Sequence, residues 1–243
     1  MNRQPAAIIL AASLVLTAAG AVRADEFSSF AKSLVQQPAA QNALSDSDIA
    51  AGLKQALAKG TSNAVKQLGR TDGFWNDPSV RIPLPGPVQQ LESALQAAGM
   101  GAQLEQLHMS FNRAAEQAVP LAADVFGQAV QKLTLDDVRG ILNGPQDAAT
   151  QYFKRTTSDT LAAKFKPIVA RITSKAGLAQ QYNSLTASAG PMASMLGVPD
   201  LDGYVTQKAL DGLFLRVADE EKSIRTNPAA RTTDLLKKVF GAQ

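Results

Sequence analysis

Asp147, Gln151 and Arg155 stand at i, i+4 and i+8 within Asn143–Arg155 (NGPQDAATQYFKR). A helix that restarts at Pro145, after a stop at Gly144, therefore carries all three on one face. Such a face offers carboxylate and arginine chemistry, or a polar network that only holds the fold. Asp147 and Arg155 are two helical turns apart, roughly 12 Å along the axis, so each needs a partner from another helix. Arg113 suits Asp147; Glu116, Asp211 or Glu220 suits Arg155. Asn143 lies beside the break, and Tyr152 and Phe153 interrupt any purely solvent-facing stripe. The expectation is a network that faces the interior or a cleft. Asn112, Arg113 and Glu116 form a second polar group on an alanine-rich helix that a neighbour can approach closely. A third group, Glu220, Glu221, Arg225, Arg231 and Asp234, surrounds Asn227-Pro228. Its arginines are expected to clamp that helix break by forked pairing or by capping carbonyls.

Other chemistry is excluded or weak. With no cysteine and one histidine, His108, thiol catalysis is impossible and zinc lacks ligands. A serine–histidine–acid triad would need His108, which sits between Leu104 and Phe111 at the apolar border of its helix and reads better as a rim or core histidine. No nucleophile elbow, phosphate loop or dinucleotide fingerprint occurs. Asp200-x-Asp202-Gly203 matches only a fragment of a calcium loop. Asp136 and Asp137 are adjacent and diverge by about 100° on a helix, which suits the helix dipole better than a metal. No cofactor and no metal is expected.

These groups need helices to position them, and the apolar spacing supplies helices throughout. Ser45 caps the first, with Asp46 and Asp48 in its first turn and Gly69 at its end. Thr71–Pro87 (TDGFWNDPSVRIPLPGP) breaks the pattern with turn formers and prolines, and its Phe74 and Trp75 either plug it onto the body or form a binding lip. Stripes through Leu91, Leu107, Phe111 and Phe126 follow, with Pro120 dividing the segment. Thr134 caps a short helix, Thr157 or Ser158 caps another bent at Pro167, and Asp200 or Asp202 opens a long one. Ala189–Pro199 is a small-residue loop with Met192 and Met195, and Leu235, Leu236, Val239 and Phe240 dock a last helix. The fold class is all-α, a single-domain multi-helix bundle with one Pro-rich loop.

The first 24 residues read as a signal peptide: Arg3, an apolar Ala6–Val22, and small residues before a cut after Ala24. Residues 25–45 read as a flexible lead-in, and 46–243 as the helical domain. The chain has 24 basic and 21 acidic residues, and loss of Arg3 and Arg23 leaves 22 basic. That near-neutral balance gives no case for nucleic acid. No transmembrane span is expected in the mature chain.

GFWNDP (73–78), IPLPGP (82–87), NRAAEQAVP (112–120), ILNGPQDAATQYFKRTTSDTL (141–161), YVTQKALDGLF (204–214) and EEKSIRTNPAARTTDLLKKVFG (220–241) resemble a bacterial family catalogued as domain of unknown function 4197. The resemblance implies a secreted, envelope-located protein, in some members lipid-anchored through a cysteine at the processing site. Here Ala24 stands at that point and no cysteine is present, which favours a free periplasmic form. The family brings no established activity, so no catalytic residue carries over. The expected function is non-enzymatic: binding of a lipid or other apolar or amphipathic ligand, or of an envelope protein. An enzyme built around Asp147 and Arg155 and a purely structural component are the alternatives.

Overall fold

In the computed structural model, which describes residues 45–188 and 200–227, every regular element is a helix. Two long helices form the spine, α6 (Ala148–Lys175) and α8 (Leu201–Thr226), and their mutual packing is the most extensive among the described helices. Around them stand α1 (Asp46–Leu68), α2 (Gly86–Ala97), α3 (Gly101–Ala118), α4 (Ala122–Gln131), α5 (Leu135–Asn143) and α7 (Leu178–Ser188). α1 packs on α8 and α4, α3 on α6 and α8, and α7 on α3. Three rings join the centre: Phe126 of α4 lies edge-on to Phe153 of α6 at 5.1 Å and to Phe214 of α8 at 6.2 Å. Each such ring contributes about 1.5–3 kcal/mol by leaving water, before any gain from ring geometry.

Local chemistry sets the helix ends. Ser45 accepts the Asp48 N–H while the Asp48 carboxylate accepts the Ser45 N–H, a reciprocal cap that starts α1. Thr134 and Asp137 repeat it at α5. Pro120 sits in a 3₁₀ turn, Val119–Leu121, that divides α3 from α4. α6 departs from expectation: it runs unbroken through Thr157 and Ser158, which do not cap. Their hydroxyls donate back to the carbonyls of Phe153 and Lys154, a use of Ser and Thr that leaves the helix intact. Pro167 lies inside the same helix.

No described helix is long and apolar enough to cross a membrane. The expected signal peptide and lead-in up to residue 44, the expected Met192/Met195 loop and the expected last helix, with Arg231, Asp234, Leu236 and Phe240, lie outside the described residues.

Candidate functional site

Residues 69–85 form neither helix nor strand, yet buried side chains of a neighbouring helix bond their backbone. α3 supplies the hold. Asn112, fully buried, accepts the Ile82 N–H at 2.8 Å and donates to the Ile82 carbonyl at 3.1 Å and to its own-helix His108 carbonyl at 2.9 Å. Its carboxamide therefore pairs with one loop residue as a neighbouring strand would. Glu116 is 4% exposed, and its Oε1 accepts the N–H groups of Phe74 and Trp75 at 3.1 and 3.2 Å. Its Oε2 accepts Arg113 at 2.7 Å, and Arg113 reaches on to Asp72 at 2.6 Å. The hydrogen bond that Arg113 donates to Glu116, then that to Asp72, raise its pKa despite desolvation. Asp72 takes a left-handed backbone, φ 66°, at the turn that presents its carboxylate.

α8 holds the opposite side. Arg216 pairs with Asp77 and Asp219 and donates to the Ser79 hydroxyl. Burial opposes ionisation of Asp77, but hydrogen bonds from Ser79 and the Arg216 guanidinium outweigh it and hold the carboxyl below its usual range. The Tyr204 hydroxyl donates to the Pro83 carbonyl at 2.9 Å. Phe74 is fully buried, and a Cβ on Gly212 would stand 2.8 Å from its ring, so α8 must carry glycine there. Phe74 is thus the plug. Trp75, half-buried, lies edge-on to His108 at 5.0 Å with the Arg81 guanidinium 4.8 Å over its ring.

His108 is half-buried, and its Nε2 has no water access and no hydrogen-bond partner. Burial is the largest influence and lowers its pKa from the ordinary 6.5, Arg81 adding to the fall; a backbone hydrogen bond at Ile82, with Glu92 and Glu105, opposes it. Below 6.5 the unfolded chain therefore binds a proton that the native chain refuses. The stability His108 contributes is present above 6.5 and is lost as pH falls toward its native pKa. Denaturant midpoints measured between about pH 8 and 5 should drop with acid in the parent and stay flatter in His108→Gln.

Two polar clefts flank this segment, with the Arg113–Asp72 pair between them. One, about 370 Å³, is lined by Gly69, Thr71, Arg113, Glu116, Gln117, Pro120 and Arg171. The other, about 460 Å³, takes in Gln67, Arg70, Asp72, Asn76, Asp77 and Arg216.

A second buried polar cluster lies at the start of α6. Glu221 of α8, 6% exposed, accepts the N–H groups of Ala149 and Thr150 at 3.0 and 2.9 Å and the Thr150 hydroxyl at 2.8 Å. Arg225 binds the same carboxylate at 2.9 Å and donates to the Ile141 carbonyl at 2.8 Å, in the last turn of α5. An anion thus sits on a helix N-terminus and a cation on a helix C-terminus, each where the dipole favours it. Gly144 fits the turn between them because a Cβ there would stand 2.5 Å from the Gly140 carbonyl oxygen. The apolar cavity beside this pair, lined by Leu53, Leu57, Ile141 and Ile224 among others, holds about 10 Å³, room for about one water.

The expected interior network of Asp147 and Arg155 is corrected. Both are exposed: Asp147 accepts Gln151, also exposed, at 2.9 Å, and the Arg155 guanidinium lies 5.8 Å from the Tyr152 ring. Buried Ala149, Thr150, Tyr152 and Phe153 define the inward face of α6, which turns Asp147 and Arg155 outward. The expected partners are engaged elsewhere, Arg113 with Asp72 and Glu116, Asp211 with Gln207 and Lys208, and Glu220 with Asn63. Tyr152 is buried and donates to the Ala129 carbonyl at 3.3 Å; desolvation raises its pKa. Asn143 is exposed. Arg225 clamps the helix break between α5 and α6, while Pro228 and Arg231 of the expected C-terminal clamp lie outside the described residues. Asp147→Ala and Arg155→Ala should each leave the unfolding free energy within about 0.5 kcal/mol of the parent in urea titrations. Asp72, Asp77, Thr150, Tyr204 and Arg216 were not expected at a site; for Asp72 and Asp77 the density of turn formers and charges in 72–81 was the available signal, and the other three had none. Among the described residues no group of three or more His, Asp or Glu is placed to hold a metal ion.

The geometry defines an all-α protein whose polar interior serves to fix an irregular segment and a helix break. Residues 43–241 match the model of the family described as Protein of unknown function (DUF4197), and the chain belongs to that family. No curated protein and no solved structure matches it.

Proposed function

We propose that this chain is an exported, periplasmic protein that binds an envelope partner without turning over a substrate, and that the partner meets the face built by residues 69–85. The supporting observation is the holding of that segment: Asn112 and Glu116, both buried, bond the N–H groups of Phe74, Trp75 and Ile82. A plain connector runs over the surface with little buried polar support, and binding surfaces are commonly loops fixed on a rigid scaffold. Fixing the segment before binding removes ordering entropy from the association. The polar clefts beside it give the face relief and hydrogen-bonding groups. Among the described residues, the apolar cavity beside Glu221 admits only about one water, too little for an enclosed lipid. An enzyme around Asp147 and Arg155 is disfavoured because the two groups are exposed and each is engaged on its own helix.

Site-specific photo-crosslinking tests the reading. A crosslinker at exposed Asn76 should give a discrete adduct in the envelope of the producing cell, and one at exposed Asp159 of α6 should not. Equal labelling at both positions, or no adduct from either, overturns it.

A further inference from the structure

We propose that the cleft bounded by the end of α1, α3 and α6 is an oxyanion site that receives a carboxylate or phosphate group. This deepens the partner-binding reading and rests on it. At about 370 Å³ the cleft falls in the range of small-ligand sites. Two guanidinia, Arg113 and Arg171, line it against one carboxylate, Glu116. Both Glu116 oxygens are occupied, Oε1 by the N–H groups of Phe74 and Trp75 and Oε2 by Arg113. The one carboxylate of the lining is therefore already engaged with three donors. Asp72, the other partner of Arg113, lines the second cleft on the far side of that pair.

Arg171 is different from Arg113. It is exposed, and among the described residues no acid lies within ion-pair distance of it. A guanidinium presents donors in a planar fork that fits two oxygens of a carboxylate or phosphate at once. Thr71 and Gln117, whose side chains carry neutral donors, belong to the same lining. The cleft thus joins one uncommitted cation, a second cation held rigidly by its own acids, and neutral donors. An oxygen-rich anion is the ligand that satisfies such a set. Two sources share this chemistry: a small free oxyanion, and an acidic side chain on the partner.

Calorimetric titration of the mature protein at low salt separates the sources and tests the site. The probes are inorganic phosphate, succinate and an acetylated glutamate-rich peptide. Saturable binding of at least one probe is expected, weakened about tenfold or more in Arg171→Gln and partly kept in Arg171→Lys. Lys164→Gln, an equal loss of charge at an exposed position of the same helix, should bind as the parent does. Tighter binding of the peptide points to an acidic partner, and binding of phosphate or succinate alone points to a free ion. Absence of saturation with all three probes, or equal weakening in Arg171→Gln and Lys164→Gln, overturns the oxyanion site. If the Asn76 adduct persists in that case, the partner-binding face stands without it; if the adduct is missing too, both fall.

Discussion

Glu221→Ala should lower the unfolding free energy by about 3–5 kcal/mol, the cost of stranding one member of a buried ion pair. The carboxylate holds the first N–H groups of α6, the Thr150 hydroxyl and the Arg225 guanidinium together. Its removal takes from half-buried Arg225 the carboxylate it pairs with, and leaves the Ala149 and Thr150 N–H groups without their acceptor. For a domain of ordinary stability, about 5–15 kcal/mol, this is a large share. Glu221→Gln keeps one acceptor oxygen and should cost less than alanine. Urea unfolding followed by circular dichroism provides the test. A loss below about 1 kcal/mol for the alanine variant would show that the cluster is solvated and not buried.

Glu116→Ala should act first on the loop and then on the whole fold. It frees the N–H groups of Phe74 and Trp75 in a buried setting and leaves Arg113 with Asp72 alone. Unsatisfied buried donors cost about 1–3 kcal/mol each, so a loss of about 3 kcal/mol is expected. Trp75 is the only tryptophan, so its emission reports the segment directly. The variant should emit at longer wavelength under native conditions, as water reaches a ring now freed from His108 and Arg81. Asn112→Ala should do the same through Ile82. Unchanged emission in both variants, with parental stability, would mean that Phe74 packing alone holds the segment.

The fold was legible wherever its causes are local. Ser45 with Asp48 and Thr134 with Asp137 announce helix starts because both halves of each cap lie three residues apart. The polar clusters were less legible because their partners are distant. Glu221 reaches Ala149 and Thr150 across 72 and 71 positions, and no spacing rule links them. Asp147, Gln151 and Arg155 do share a face, but periodicity cannot say which way a face points. Thr150, Tyr152 and Phe153 decide that by turning inward together. Asn112, Arg113 and Glu116 stood out as polar residues on an alanine-rich helix. Their partners in 72–82 emerge only when the chain folds back on α3. Gly212 gave no signal at all, since its role is the space it leaves for Phe74.

Amide hydrogen exchange at Phe74, Trp75 and Ile82 tests the central claim, that residues 69–85 are a face fixed in advance by α3, most directly. These three N–H groups lie outside every helix, yet each donates to a buried side chain of α3. The account predicts protection approaching that of core amides in α3 and α6, lost together in Glu116→Ala and Asn112→Ala. Exchange of all three at the rate of an open loop in the parent protein would contradict it.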